Sequence, residues 1–178
     1  MGVGFINAIL EITLNIILFY MIFLISTIIH ELGHALPALI LTRDNVKIIL
    51  GRNNERLKKV SLKRLDIHLK GFNPFIGFVY WDEPKLTNFK KILILAGGPI
   101  FSLIFGIVLL FISRNMESKL LVGIILLKQM IILAGNYQLY TFVSTSVPII
   151  YPKWWVGYAG YPSDGYQVLQ LIKGNKTS

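Results

Sequence analysis

Two histidines four residues apart, His30 and His34, bracket a glutamate that directly follows the first of them, Glu31. On a helix, positions i and i+4 share one face, so both imidazoles can bind a single metal ion, with zinc the expected metal. Glu31 lies about 100° round the helix from His30, close enough to act as a base on a metal-bound water. The chain holds three His and five Glu among 178 residues. At those frequencies chance supplies on the order of 0.001 matches to the pattern. Three ionisable groups within five residues of an apolar run are costly unless they serve a function.

The element that must carry this motif is apolar. The 18 residues Ile12–Ile29 have no charge, and Arg43 and Asp44 mark a return to water. A first span over about 12–41 follows, with the motif inside the membrane slab and a kink expected at Pro37. No Lys or Arg precedes the run, so it lacks the charged start of a cleavable signal and is expected to remain as a span. The chain is 54% hydrophobic and has no cysteine, which excludes disulfides and thiolate zinc sites. Its net charge is +9, and 12 of its 18 Lys and Arg lie between Arg43 and Lys91. A basic loop between two spans accounts for this cluster through anionic lipid and the positive-inside rule, without nucleic acid.

Within that loop Val46, Ile48 and Leu50 alternate with other residues, as do Leu65, Ile67 and Leu69, and Phe75–Trp81 is aromatic and branched. Gly51-Arg52-Asn53-Asn54 and Gly71-Phe72-Asn73-Pro74 supply turns. The pattern predicts a small membrane-associated antiparallel sheet, with Lys58, Lys59, Lys63 and Arg64 facing headgroups or solvent. Residues 92–113 form a second uncharged run, with Ala96-Gly97-Gly98-Pro99 allowing close helix approach. A polar turn over 114–119 precedes a third span at about 120–148. The polar residues of that span, including Asn136, Gln138 and Thr145, are expected to face the site, Asn136 and Thr145 as substrate-binding residues. An aromatic loop with Trp154 and Trp155 and a short helix after Asp164 complete the C-terminal segment, 149–178. The fold class expected is thus a mainly α membrane protein in one domain, 1–178, with three core transmembrane helices. Charge asymmetry places the N-terminus outside, and the loop 43–91 and the C-terminus in the cytoplasm.

A catalytic zinc site needs three protein ligands and an open position. The remaining histidine, His68, sits in the basic strand region and reads as a surface residue. Among the carboxylates, Glu11 and Glu117 lie at the far side, while Asp44, Glu55, Asp66, Asp82 and Glu83 lie in the charged loop. Asp164, just past the third span, is left as third ligand. Taken together, His30-Glu31-Leu32-Gly33-His34 in the first span, Gly98-Pro99 in the second and Pro162-Ser163-Asp164-Gly165 after the third resemble the site-2 protease family of intramembrane metalloproteases. The resemblance implies one zinc ion held by His30, His34 and Asp164, with Glu31 as general base. It departs from the family pattern at Ser102, at Thr145 ahead of Pro148, and at Ser163-Asp164-Gly165-Tyr166, and the loop is too short for a PDZ domain.

The function expected is a zinc-dependent endopeptidase of the cell membrane, acting on membrane-embedded or membrane-associated proteins or peptides. An edge strand from the 46–81 region, with Leu65–Lys70 the stretch singled out, is expected to capture an unwound substrate segment. Two rivals are a catalytically silent membrane protein that binds a partner and a metal transporter. Glu31 opposes the first, because a structural zinc site needs no base. The absence of an internal repeat opposes the second. Neither the substrate nor the oligomeric state follows from the sequence.

Overall fold

The computed structural model describes residues 2–51, 58–71, 73–81, 86–116, 122–155 and 157–174. Arg52, Asn53 and Asn54 of the first expected turn, Phe72 of the second and residues 117–119 of the polar turn lie outside them. The chain order is α1 (Gly2–Leu41), β1 (Val46–Leu50), β2 (Lys59–Leu62), β3 (Leu65–Leu69), β4 (Gly77–Trp81), α2 (Asn88–Asn115), α3 (Val122–Ser146) and α4 (Asp164–Gly174).

The first helix starts ten residues before the expected Ile12, because neither proline nor a polar cap interrupts the run from Gly2 onward. It also continues through Pro37. Forty helical residues rise about 60 Å, twice the thickness of a bilayer core. The second helix extends past both expected ends to take in Lys90, Lys91 and Arg114, residues that favour helix, with Arg114 placed well at the negative end of the dipole. Two helices, α1 and α2, are long and apolar enough to cross a membrane among the described residues. The 25 residues of α3 reach about 37 Å, long enough to cross.

α1 and α2 cross at Gly33 and Gly97. A Cβ on Gly33 would lie 2.8 Å from the Gly98 Cα and 2.7 Å from the Phe101 Cβ. The small residues of the 96–99 stretch therefore set how close the motif helix comes to its neighbour. Below the crossing, Ala35 and Ala38 of α1, Ile94 of α2 and Val46, Ile48 and Leu50 of β1 form the buried core.

The sheet is mixed rather than antiparallel, in the order β2-β3-β1-β4. β2 and β3 form an antiparallel hairpin, and β4 pairs antiparallel to β1, but β1 and β3 run parallel, Val46 opposite Leu65. The reason is burial. β1 carries the apolar side chains that reach the helices and takes the centre, whereas β2 is exposed along its length and goes to the outside. β3 then pairs with β1 after two chain reversals, which makes the pair parallel. Of the basic residues expected at headgroups or solvent, Arg64 is exposed and also donates to the carbonyls of Leu39 at 2.6 Å and Thr42 at 2.9 Å, closing the C-terminus of α1. Lys59 pairs with Asp66 at 3.1 Å.

Candidate metal centre and cleft

One turn of α1 presents both imidazoles to the same point. Nε2 of His30 and Nε2 of His34 are 3.3 Å apart. Asp164 Oδ2 lies 3.4 Å from the first and 3.5 Å from the second. The three ligand atoms fit within 4.8 Å of one another, a grouping that could hold a metal ion. The far side of each ring is also engaged. His34 Nδ1 donates to the Ile94 carbonyl at 2.8 Å, and His30 Nδ1 lies 3.1 Å from Ser102 Oγ. A proton on Nδ1 leaves Nε2 with its lone pair toward the carboxylate, the tautomer that a metal ligand needs. A weaker contact runs from the Gly98 N–H to His34 Nδ1 at 3.3 Å, and the shorter bond to Ile94 decides the tautomer. The donor set of two imidazoles and one carboxylate matches that of a catalytic zinc site.

Asp164 is brought there by local structure at the start of α4. Ser163 is 1% exposed. Its Oγ accepts from the Tyr166 N–H at 3.1 Å and the Ile149 N–H at 3.2 Å and donates to the Val147 carbonyl at 2.7 Å. It is the N-cap, and Asp164 occupies the first helical position, where the helix dipole favours a carboxylate. Gly165 then lets the helix tip reach α3: a Cβ there would lie 3.3 Å from the Ser146 Cα and collide with the Ser146 carbonyl. Without a metal, burial pushes the Asp164 carboxyl up, and protonated imidazoles at His34 and His30 would outweigh it and hold the group well below the usual carboxylate range.

Glu31 is 4% exposed and packs on the first residue of β4. A Cβ on Gly77 would stand 2.6 Å from its Cγ and 2.7 Å from its carboxylate carbon. The motif therefore opens onto the free edge of the sheet. The cavity there, about 610 Å³, is lined by His30, Glu31 and His34, the whole of β4, Tyr137, Thr141 and Thr145 of α3, and Tyr151, Trp155 and Tyr158 of the segment before α4.

Of the residues expected to contact substrate, Thr145 lines this cavity, with its hydroxyl donating to the Thr141 carbonyl at 2.9 Å. Asn136 does not: it is exposed and lies off the cavity wall. Nine helical residues separate it from Thr145, about 180° of rotation, so the two occupy opposite faces. His68 lies on β3, away from the cluster. Gln138, expected with Asn136 and Thr145 to face the site, is instead fully buried off the cavity, with Nε2 donating to the Ser26 carbonyl of α1 at 3.3 Å. Two residues carry weight that the sequence did not assign to them: Ser102 holds His30, and Ser163 caps the helix of Asp164. A serine immediately before Asp-Gly is itself an N-cap signal. Ser102 carries no comparable local signal.

The family model of Peptidase family M50 matches residues 18–174. Comparison with curated proteins and with solved structures gives no match. The matched stretch contains His30, Glu31, His34, Ser102, Thr145 and Asp164.

Proposed function

The chain belongs to Peptidase family M50, the site-2 protease family, and on that premise we propose that it is a zinc-dependent intramembrane endopeptidase. Membership makes it a metallopeptidase that hydrolyses peptide bonds. The proposed substrates are membrane-embedded or membrane-associated chains. The observation that carries the reading is the convergence of His30, His34 and Asp164 beside Glu31, at the start of an edge strand.

His30, His34 and Asp164 would hold one zinc ion. Zinc there would supply Lewis acidity, polarising the scissile carbonyl and lowering the pKa of the attacking water. Glu31 takes the proton from that water and passes it to the leaving amine. Ser102 and the Ile94 carbonyl keep the two imidazoles turned toward the site. Thr145, on the opposite wall, offers a hydroxyl to the substrate backbone.

A membrane helix cannot be cut as it stands, because its carbonyls are already hydrogen-bonded. An unwound segment needs new partners, and strand addition to β4 supplies them next to Glu31. This moves the capture site from the Leu65–Lys70 stretch expected from the sequence. β3 lies between β2 and β1 and has no free edge, whereas β4 is terminal. In the membrane, α3 makes the third crossing alongside α1 and α2, the N-terminus lies outside, and the sheet and α4 lie at the cytoplasmic face.

The decisive experiment is Glu31→Gln, with zinc content and membrane proteolysis both measured. Zinc retained with cleavage lost supports the assignment. Undiminished cleavage refutes the role of Glu31.

A further inference from the structure

The edge of β4 is already partly occupied. β4 pairs with β1 in the register Gly77–Leu50, Phe78–Ile49, Val79–Ile48, Tyr80–Lys47 and Trp81–Val46. The Ile76 carbonyl turns toward β1, accepting from the Gly51 N–H at 2.7 Å. Backbone groups alternate along a strand, so the N–H and C=O of Gly77, Val79 and Trp81 point away from β1. At Gly77 both groups meet one atom. Tyr158 Oη accepts from the Gly77 N–H at 2.9 Å and donates to the Gly77 carbonyl at 3.1 Å. This is the pair of bonds that a residue of an added strand would make. It lies at the position packed against Glu31. Among the described residues no side chain is bonded to the outward backbone of Val79 or Trp81.

We propose that Tyr158 is the gatekeeping residue of the cleft: its hydroxyl stands in for substrate backbone at Gly77, and a substrate strand must displace it to reach Glu31. The inference rests on the edge-strand protease reading above. An extended segment pairs first at Val79 and Trp81, then replaces the phenol at Gly77. A chain that unwinds only briefly leaves before the exchange, so the gate selects for segments that stay extended. It also selects against proline opposite Gly77, which has no N–H to give.

The gate is held in place by its surroundings. The Tyr158 ring centroid lies 5.4 Å from that of Phe78 and 5.5 Å from that of Tyr151. Gly157, with φ 98°, turns the chain directly against Ile76, a conformation that other side chains rarely adopt. The ends of the segment are tied by bonds of 2.9 Å from the Ser163 N–H to the Ile149 carbonyl and from the Tyr151 N–H to the Tyr161 carbonyl. Displacement is therefore a movement of the side chain, or of the closed segment as a unit. Burial pushes the Tyr158 phenol well above 10, so it remains a donor at working pH.

The test uses the full zinc-loaded chain in detergent with two probes. One is an unfolded casein, and the other a Leu/Ala-rich single-span peptide with a central Gly-Pro. Tyr158→Phe keeps the ring and removes both bonds. The expected result is a KM lower by about threefold to tenfold, the worth of one or two net hydrogen bonds, with kcat not reduced and zinc content unchanged. An unchanged or higher KM, or cleavage lost with zinc retained, overturns the gate and makes Tyr158 an anchor for β4. A second measurement leaves residue 158 intact. Glu31→Gln protein carrying 3-fluorotyrosine is titrated with the peptide, and the Tyr158 fluorine resonance is expected to move as the peptide binds. A resonance unmoved at saturation overturns the proposal. If the wild-type chain cuts neither probe, the protease reading falls and the gate with it. If it cuts but Tyr158→Phe is indistinguishable from it, the gate alone falls.

Discussion

Ser163 offers the sharpest test of how the third ligand is positioned. Its hydroxyl serves three backbone groups at once, the N–H groups of Tyr166 and Ile149 and the carbonyl of Val147. Ser163→Ala removes an N-cap, worth about 1 kcal/mol. It leaves the Tyr166 N–H unmet beside a position 1% exposed, whereas the Ile149 N–H and the Val147 carbonyl keep their mutual bond at 2.9 Å. An unmet buried group costs about 1–3 kcal/mol, and water reaching the helix end relieves part of that. The combined loss is about 1–3 kcal/mol. It falls on the docking of α4 rather than on the α1–α2 pair, so its readout is the metal site. Zinc affinity, measured by competition with a chelator in detergent, is expected to fall by as much as about fivefold to 150-fold. Helix content should stay nearly unchanged. Ser163→Thr, which keeps the hydroxyl, should recover most of the affinity. If Ser163→Ala binds zinc within threefold of the wild type, the cap does not hold Asp164, and the account of the third ligand is wrong.

Three further outcomes follow from the geometry. Gly77→Ala puts a Cβ against the Glu31 carboxylate and should abolish most cleavage while zinc content stays full; normal kcat would refute the placement of Glu31 over β4. Val79→Pro removes an outward N–H from the free edge without touching the pairing to β1, and should lower kcat/KM on both probes about tenfold; an unaltered rate would show that substrate does not add to this strand. Asp66 is held below its usual 3.8 by the Ser61 hydrogen bond first and Lys59 next. A depressed folded pKa means that its contribution is complete above the unfolded value and disappears as pH falls through the folded one. Amide protection of the β2–β3 hairpin should therefore hold at pH 5 and weaken below pH 3.8, and a directly titrated Asp66 pKa at or above the usual value would contradict this.

What the sequence conveyed depended on distance along the chain. His30, Glu31 and His34 lie within five residues, so helical periodicity alone places them. Asp164 lies far away, and elimination reached it only because the chain has four Asp and five Glu. The face of α3 was within reach of the same periodicity. Asn136 and Thr145 are half a turn apart in angle, so a polar streak containing both cannot point at one site. The sheet was less accessible. Alternation identifies strands and the face each buries, but not which strand lies beside which. Order is decided by packing on α1 and α2, and those contacts join residues scores of positions apart. Tyr158 is the extreme case: its partner Gly77 is 81 positions away, and an aromatic loop reads equally well as a membrane-interface belt.

Strand order also decides which edge meets the catalytic base. β1 must be central because Val46, Ile48 and Leu50 are the strand side chains that complete the core with Ala35, Ala38 and Ile94. An exposed strand such as β2 gains nothing from the centre and is driven outward, taking its hairpin partner β3 to the same side of β1. The other flank of β1 is then left to β4, which closes under α1 where Gly77 leaves room for Glu31. A meander in sequence order would also have left β4 terminal, but with β3 rather than β1 as its neighbour, farther from the strand anchored to the motif helix. The apolar alternation of β1 thus does more than fill a core. It fixes β4 one strand spacing, about 4.8 Å, from the strand packed on α1, and so within reach of Glu31.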